Sequence, residues 1–303
     1  MTATTNSTRA RMFLNASSGW GSNPDSVPML QDLFAEAGID AEIERVERGV
    51  NLADKSREAV ISGNHIVVAG GGDGTLSATA SGVVGTEATF GVLPVGTLNH
   101  FARDLNLPLD LESAARVITA GRVSVVDVGE VNGKTFLNNA VIGLYPIYRA
   151  IRADLEARGW HPKLAFVWGW VTTLRKMPFF RLRMVVDGRE ITRKTPYVLI
   201  GNNEHAMQGW QLGTRSSLHD GKLWIYVLRP QSSFALLGMA VKLLVGVFRR
   251  QEHFDVFSAS EIYIDARSRR LSVSLDGEIH VMETPLRVRS LPSSLRVFVP
   301  ERG

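Results

Sequence analysis

"HIVVAGGGDGTLSATA", residues 65–80, sets an apolar run, three consecutive glycines, an acid and a helix-favouring stretch side by side. The apolar run reads as a buried strand and the last stretch as a helix. Glycines at the junction let backbone N–H groups turn toward an anion, and Thr75 is placed to cap a helix whose N-terminus favours negative charge. That is an arrangement for holding phosphate, yet Asp73 sits inside it and no lysine follows. A bare carboxylate would repel a triphosphate, so the loop makes sense where Mg²⁺ or its waters stand between, or where Asp73 takes up a proton. The P-loop pattern G-x-x-x-x-G-K-[ST] is absent, and Thr75 occupies the final glycine of a would-be dinucleotide fingerprint. A plain Asp-Gly turn is the alternative, and the glycines before it weaken that reading.

The same rhythm extends to either side. "RMFLNA" (11–16), "IDAEIERV" (39–46) and "TFGVLPVG" (89–96) read as strands. "SVPMLQDLFAEAG" (26–38), "ADKSREAVISG" (53–63), "TLSATASGVVG" (75–85) and "LESAARVITAG" (111–121) read as helices closed by glycine. Strand and helix in alternation predict an α/β domain over residues 1–127, with a parallel sheet, helices on both faces and ligands beyond the carboxyl ends of the strands. After that the texture changes. "VNGK" (131–134), "VDGR" (186–189), "HDGK" (219–222) and "LDGE" (275–278) punctuate strand-like runs. Asn-Gly and Asp-Gly between such runs signal hairpins, so residues 128–285 are expected to form a mainly antiparallel β domain. Segments 148–177 and 233–250 interrupt it as helices. Local pattern does not say which domain takes 286–303.

Composition narrows the function classes. The 303 residues are 45% hydrophobic and 21% charged, which fits folded domains with proper cores. A net charge of +4 suits an anionic substrate or an acidic membrane surface and is too mild to imply nucleic acid, for which no recognition motif is present. The absence of cysteine excludes disulfides, thiolate catalysis and Cys-ligated metal. The polar start lacks an apolar signal region, and "FALLGMAVKLLVGVFRR" (234–250) carries Lys242 and is too short to span a bilayer, so a cytoplasmic protein is expected.

Other strings carry polar groups at the ends of predicted strands. In "PVGTLNHFARDLNLP" (94–108), Gly96 and Thr97 can present backbone and hydroxyl donors, and Asn99 can bridge loop elements; a common helix cap is the equal alternative. "NASSG" (15–19) could bond phosphate or ribose, or be an ordinary turn. In "VSLDGEIHVME" (273–283), alternation would set Asp276 and Glu278 on one face, where two carboxylates could share metal binding and deprotonation of an alcohol. A hairpin turn competes with that reading. In "GNNEHAMQGWQLGTRSSLHDGKLWIYV" (201–227), Asp220 could hold a cation with the carbonyl of Ser217, near Arg215. Trp160, Trp168, Trp170, Phe179 and Phe180 read as core or as the wall of an apolar pocket.

Taken together, "NASSG", "AGGGDGT", "LPVGTLNHFARDLNLP", the Asn-Gly-rich string ending in "DGKL", and "LDGE" stand in the order and spacing of the diacylglycerol kinase catalytic-domain family of lipid kinases. The chain resembles, over nearly its full length, the bacterial members related to sphingosine kinases. GGDGT alone is shared with NAD kinases and phosphofructokinases; the GTxN segment and the late DGE make the match specific. The resemblance implies an α/β nucleotide domain of the NAD kinase and phosphofructokinase type, a β-sandwich-like second domain, an active site in the cleft, and return of 286–303 to the first domain. It implies ATP contacts at Asn15, Ala16, Ser17, Ser18 and Gly19, at Gly70, Gly71, Gly72, Asp73, Gly74 and Thr75, and at Gly96, Thr97 and Asn99. Asp73 would organise Mg²⁺ and phosphates. Glu278 would be the general base on a lipid hydroxyl with Asp276 beside it, Asp73 being the other candidate base. Ser217, Asp220 and Lys222, the last through its carbonyl, would match a second, structural Mg²⁺ site.

The activity so implied is an ATP- and Mg²⁺-dependent lipid kinase acting on a hydroxyl of diacylglycerol or a related lipid. It would be cytoplasmic, meet the membrane surface transiently near Arg249 and Arg250, bind no nucleic acid, and leave a homodimer open. Two rivals use the same loop: a kinase of a soluble acceptor such as NAD, and a nucleotide sensor without catalysis. The chain departs from the family pattern at His100, where an acid is usual, at Ala16, where proline is frequent, and in "RVERGVNLAD", which lacks a threonine.

Overall fold

A computed structural model describes residues 8–18, 23–47, 49–175, 179–186, 188–208, 211–215, 217–229 and 253–301. Gly19, the helix expected at 233–250, and Arg249 and Arg250 lie outside them. The chain divides into two compact units, one reaching Val128 and taking up the chain again from Leu291, the other Gly129–Ser290.

The first unit runs β1 (Thr8–Asn15), α1 (Ser26–Glu36), β2 (Ile39–Val46), α2 (Leu52–Ile61), β3 (Ile66–Gly71), α3 (Asp73–Ala80), β4 (Thr89–Pro94), α4 (His100–Asp104) and α5 (Leu111–Thr119) into β5 (Val123–Val131). β2, β1, β3 and β4 lie side by side and parallel. β3 and β4 are buried along their whole length, which is why they read as continuous apolar runs without alternation. α1 turns Leu30, Leu33 and Phe34 inward at helical spacing, and α5 turns in Leu111, Ala114, Ala115 and Ile118. These side chains close on Met12, Leu14 and Val68 of the sheet. Asn51 and Asp110 accept the Asp54 and Ser113 N–H groups and fix where α2 and α5 begin.

The second unit continues with β6 (Lys134–Phe136), β7 (Asn139–Gly143), α6 (Leu144–Ala157), α7 (Pro162–Arg175), β8 (Phe180–Val186), β9 (Arg189–Thr195), β10 (Tyr197–Asn202), β11 (His205–Gln208) and β12 (Gln211–Arg215). β13 (Leu223–Leu228), β14 (Phe254–Ala259), β15 (Glu261–Ala266), β16 (Arg270–Leu275), β17 (Glu278–Glu283) and β18 (Leu286–Phe298) complete the chain. One antiparallel sheet has the order β14-β13-β10-β7-β16-β17. It packs Ile142, Val198, Ile225 and Val273 against Leu182, Met184, Ile262, Ile264 and Val288 from β8, β15 and β18, so the core is that of a β-sandwich. On the sheet's other face Leu144 and Tyr145, opening α6, join Val141, Leu199, Tyr226 and Phe254.

β18 serves both units. Its first half pairs antiparallel with β15, and further on Arg296 and Val297 pair parallel with Thr89 and Phe90 of β4.

The turn readings divide. Asn132-Gly133 and Asp276-Gly277 have positive φ at both residues (47° and 81°, 46° and 91°) and close tight hairpins, Val131 opposite Lys134 and Leu275 opposite Glu278. "HDGK" does not close one: β12 pairs with β11 and β13 with β10 and β14, so the turn joins strands that are not partners. Within the stretch expected as helical, α6 ends at Ala157 with Gly159 (φ 84°) just beyond, and α7 restarts at Pro162 and runs to Arg175.

Candidate functional site

In the first unit the parallel register sets Leu14 beside Gly70 and Gly71 beside Pro94, so the loops after β1, β3 and β4 emerge along one sheet edge. Gly70 and Gly71 are buried strand residues. A methyl at Gly70 would run into Leu14, and one at Gly71 would crowd Thr75. The loop proper is Gly72, and α3 begins at Asp73, so Thr75 lies in the first helical turn and is not the cap. Its hydroxyl instead accepts from Asn15 Nδ2 at 3.2 Å, tying the first loop to the glycine loop.

Asp73 is the second tie. Its Oδ2 accepts the His100 N–H at 3.2 Å and its Oδ1 the Phe101 N–H at 3.1 Å, which joins the glycine loop to the start of α4. Asn99, held at φ 52°, accepts the Gly96 N–H at 3.0 Å and donates to the carbonyls of Gly96 (2.9 Å) and Pro94 (3.2 Å). Gly96 and Gly72 meet backbone to backbone, and a methyl on Gly96 would overlap the Gly72 Cα. In the first loop the Ala16 N–H goes to the Val46 carbonyl at 3.0 Å, the Ser17 N–H to Asn15 Oδ1 at 2.9 Å, and the Ser18 hydroxyl to the Asn15 carbonyl at 2.6 Å. Asn15, Asp73, Gly72, Thr75, Gly96 and Asn99 are thus one knit cradle, while Ser17 and Thr97 are exposed at its edge. The first-turn amides of α3 have no intrahelical acceptor and the helix dipole points its positive end there.

In the second unit Asp276 and Glu278 do not share a face of an extended strand, because Asp276 is in the left-handed turn. Asp276 is an anchor: Oδ2 accepts the Leu137 N–H at 2.6 Å, and Oδ1 accepts those of Asn138 and Asn139 at 2.8 and 2.9 Å. The same loop is held through the Leu137 carbonyl, to which buried Arg215 donates at 2.7 Å and Asn202 Nδ2 at 3.0 Å. Glu278, by contrast, opens β17 and keeps its carboxylate accessible. The groups packed around it withdraw enough water to raise its pKa above the ordinary carboxylate value; the negative charge of Asp276 adds to this and Lys134 opposes it. Glu278, Gly277 and Ile279 line a groove of about 380 Å³ whose other wall is α6, with Arg149, Arg152 and Glu156. Arg152 is held by Glu156 at 2.7 Å. Nearby, burial lowers the pKa of half-buried His280, and Lys134 adds to that.

Among the metal candidates, Asp220 and Lys222 are exposed and the Ser217 hydroxyl accepts the His219 N–H at 3.1 Å. The Lys222 carbonyl accepts the Asn203 N–H at 3.0 Å. Among the described residues no group of three or more His, Asp or Glu side chains is arranged to hold a metal ion. Sequence reading missed Lys134, Arg149 and Arg152, which only the fold brings to Glu278, and passed over His280, two residues along β17. Of the aromatic residues read as core or pocket wall, Trp160 and Trp168 are exposed, whereas Trp170, Phe179 and Phe180 are half-buried.

The first unit thus carries a glycine cradle at the strand ends of a parallel sheet, and the second is a β-sandwich with an accessible acid on a hairpin. The diacylglycerol kinase catalytic domain matches residues 9–131, and the YegS C-terminal NAD kinase beta sandwich-like domain matches 149–299. The chain belongs to the diacylglycerol kinase catalytic-domain family of YegS-like lipid kinases. It is 32% identical to a diacylglycerol kinase of Staphylococcus epidermidis, over 97% of this chain and 92% of that one. It is 25% identical to a diacylglycerol kinase of Bacillus subtilis, over 89% of each. A solved structure from Bacillus anthracis, titled a diacylglycerol kinase, shares the fold with a TM-score of 0.69 over 97% of each chain, at 22% identity.

Proposed function

We propose that this chain is an ATP- and Mg²⁺-dependent lipid kinase that phosphorylates a hydroxyl of diacylglycerol or a related lipid. The observation that carries this reading is the cradle, in which Gly96 lies where any side chain would press on the Gly72 backbone, beside the N-terminus of α3. ATP fits it through amides and the Thr97 hydroxyl, with no lysine needed. Mg²⁺ fits a site where Asp73 spends one lone pair of each oxygen on an amide and keeps others for a hydrated ion. With few protein ligands close by, such an ion would draw its shell largely from phosphate and water. When bound, nucleotide and ion supply the phosphoryl group and neutralise its charge.

The chain's own residues do the positioning and the proton chemistry. Asp73 ties the glycine loop to the start of α4 and Asn99 folds the Gly96 loop on itself, so the phosphate-facing amides are preorganised. Glu278 is the base that takes the proton of the acceptor hydroxyl, and its raised pKa makes it a better proton acceptor than an ordinary carboxylate. Asp276 supports that role by fixing the turn and adding negative charge. Ser217, Asp220 and the Lys222 carbonyl would hold a second cation, structural in role. The protein works from the cytoplasm at a lipid surface; no helix among the described residues is long and apolar enough to cross a membrane.

The test is transfer of labelled γ-phosphate from ATP with Mg²⁺ into solvent-extractable lipid, from separate pools of diacylglycerol, sphingoid base, ceramide and phosphatidylglycerol. Label in lipid, abolished by chelation of Mg²⁺, is the expected result. Label appearing only in NAD or a sugar phosphate would move the acceptor to the soluble class.

A further inference from the structure

In the α6–α7 hairpin, α7 turns its small residues inward, against Tyr148 of α6, and leaves several of its large ones outside. α7 buries Ala165, Gly169 and Thr173, one stripe at four-residue spacing. Gly169 lets α6 come close, and a methyl there would stand 3.2 Å from the Tyr148 ring. The bulky side chains face water: Leu164 is 61% exposed, Val167 57%, Trp168 47%, and Trp160, just before the helix, 42%. Trp160 and Trp168 stack, with ring centroids 6.4 Å apart. Single exposed apolar residues are ordinary, but with Phe166, 47% exposed, five large ones within nine positions form a patch that calls for a partner.

The chemistry of the patch selects the partner. From Ala157 to Arg175 there is no acidic residue, while Arg158, Lys163 and Arg175 are basic. Arg158 is committed to Asp154 at 2.9 Å, whereas Lys163 and Arg175 make no ion pair among the described residues. Tryptophan joins an apolar ring to one N–H donor and favours the boundary between headgroup and acyl chain, and basic residues beside it favour anionic lipid. At 14 residues, α7 is about 21 Å long, too short to span and suited to lying in the surface plane.

We propose that the α6–α7 hairpin docks this protein on an anionic bilayer, with Trp160, Leu164, Val167 and Trp168 entering the headgroup boundary and Lys163 and Arg175 meeting lipid phosphates. The other helix of the hairpin, α6, walls the groove that contains Glu278. Docking there sets that groove at the surface from which a lipid hydroxyl must come, a consequence that rests on the lipid-kinase reading.

The experiment is sedimentation of the full chain with phosphatidylcholine vesicles with and without phosphatidylglycerol, nucleotide absent. Wild type is expected to bind the anionic vesicles, with W160A/W168A and L164S/V167S each at least about tenfold weaker. K163E should weaken binding at low salt and much less at high salt. I61S, which removes a side chain 80% exposed on α2, should bind as wild type does. Thermal melts establish that each variant is folded. Phosphorylation of water-dispersed dioctanoylglycerol should survive W160A/W168A while that of vesicle-borne diacylglycerol falls. Undiminished vesicle binding by W160A/W168A overturns the docking proposal, and so does a dimer dissociated by these substitutions with no vesicle binding in wild type. Absence of wild-type activity on both acceptors would count against the kinase reading and leave the binding result standing.

Discussion

Asp276 gives its carboxylate to three backbone N–H groups, whereas Glu278, two residues on, accepts no hydrogen bond among the described residues. The two acids should therefore fail differently. Asp276→Ala strands N–H groups of Leu137, Asn138 and Asn139 and should cost about 2–4 kcal/mol in urea unfolding. Glu278→Gln should leave stability within about 0.5 kcal/mol near neutral pH and lower kcat by about 10²–10⁴. A Glu278→Gln enzyme turning over at the wild-type rate would remove the residue from proton transfer. The raised pKa also fixes a sign. Because the folded state holds this proton to higher pH than the unfolded chain does, Glu278's contribution to stability is full below its unfolded pKa and is lost as pH rises through its folded pKa. Activity runs the other way, since the base works ionised: the acid limb of kcat/KM should lie above the ordinary carboxylate range and disappear from its place in Glu278→Gln. Here sequence reading reached its limit. Asp-Gly announced the turn because positive φ is a local demand, but the acceptor role of Asp276 was illegible because its donors lie 137 to 139 residues away.

At the scale of elements, the loops after β1, β3 and β4 hold one another through few contacts, and Gly96 is the tightest of them. Its substitution by alanine would press a methyl onto the Gly72 backbone, which cannot swing aside as a flexible side chain would. Gly96→Ala should open the cradle, weaken ATP binding at least about tenfold by titration calorimetry, and lower stability by about 1–3 kcal/mol. Unchanged ATP affinity would mean that the nucleotide does not use the spacing of these loops. The existence of the cradle was readable, because glycine runs at strand ends are local signals, whereas its wiring was not. Thr75 looked like a helix cap, yet a helix that begins at Asp73 makes Thr75 a partner of Asn15, sixty residues earlier. "HDGK" likewise carried a hairpin's letters without joining paired strands, since partner choice is set by the whole sheet. The α6–α7 stretch read as helical on its periodicity, but which face is buried was decided by Gly169 against Tyr148.

At the scale of the whole molecule, β18 is one strand with two duties. Its first half completes the sandwich beside β15, burying Leu286 and Val288. Its second half completes the parallel sheet beside β4, burying Leu295, Val297 and Phe298, while the Ser294 carbonyl accepts the Gly85 N–H at 2.8 Å. Each of those three apolar side chains is worth about 1.5–3 kcal/mol when buried. Their sum, about 5–9 kcal/mol, is comparable with the entire stability of an ordinary domain. The last thirteen residues should therefore decide whether the α/β unit folds, although the other 128 residues of that unit precede the sandwich in the chain. A chain ending at Ser290 should lose protection from hydrogen exchange first along β4, whose edge is then uncovered, and the cradle built on that strand should lose ATP binding with it. β8 and β15, whose mutual pairing does not involve the deleted residues, should keep their protection. Retention of β4 protection and of ATP binding in the truncated chain would show that the α/β unit folds without its returning strand. Loss confined to β4 and its neighbours would show that the unit's stability is supplied from the far end of the sequence.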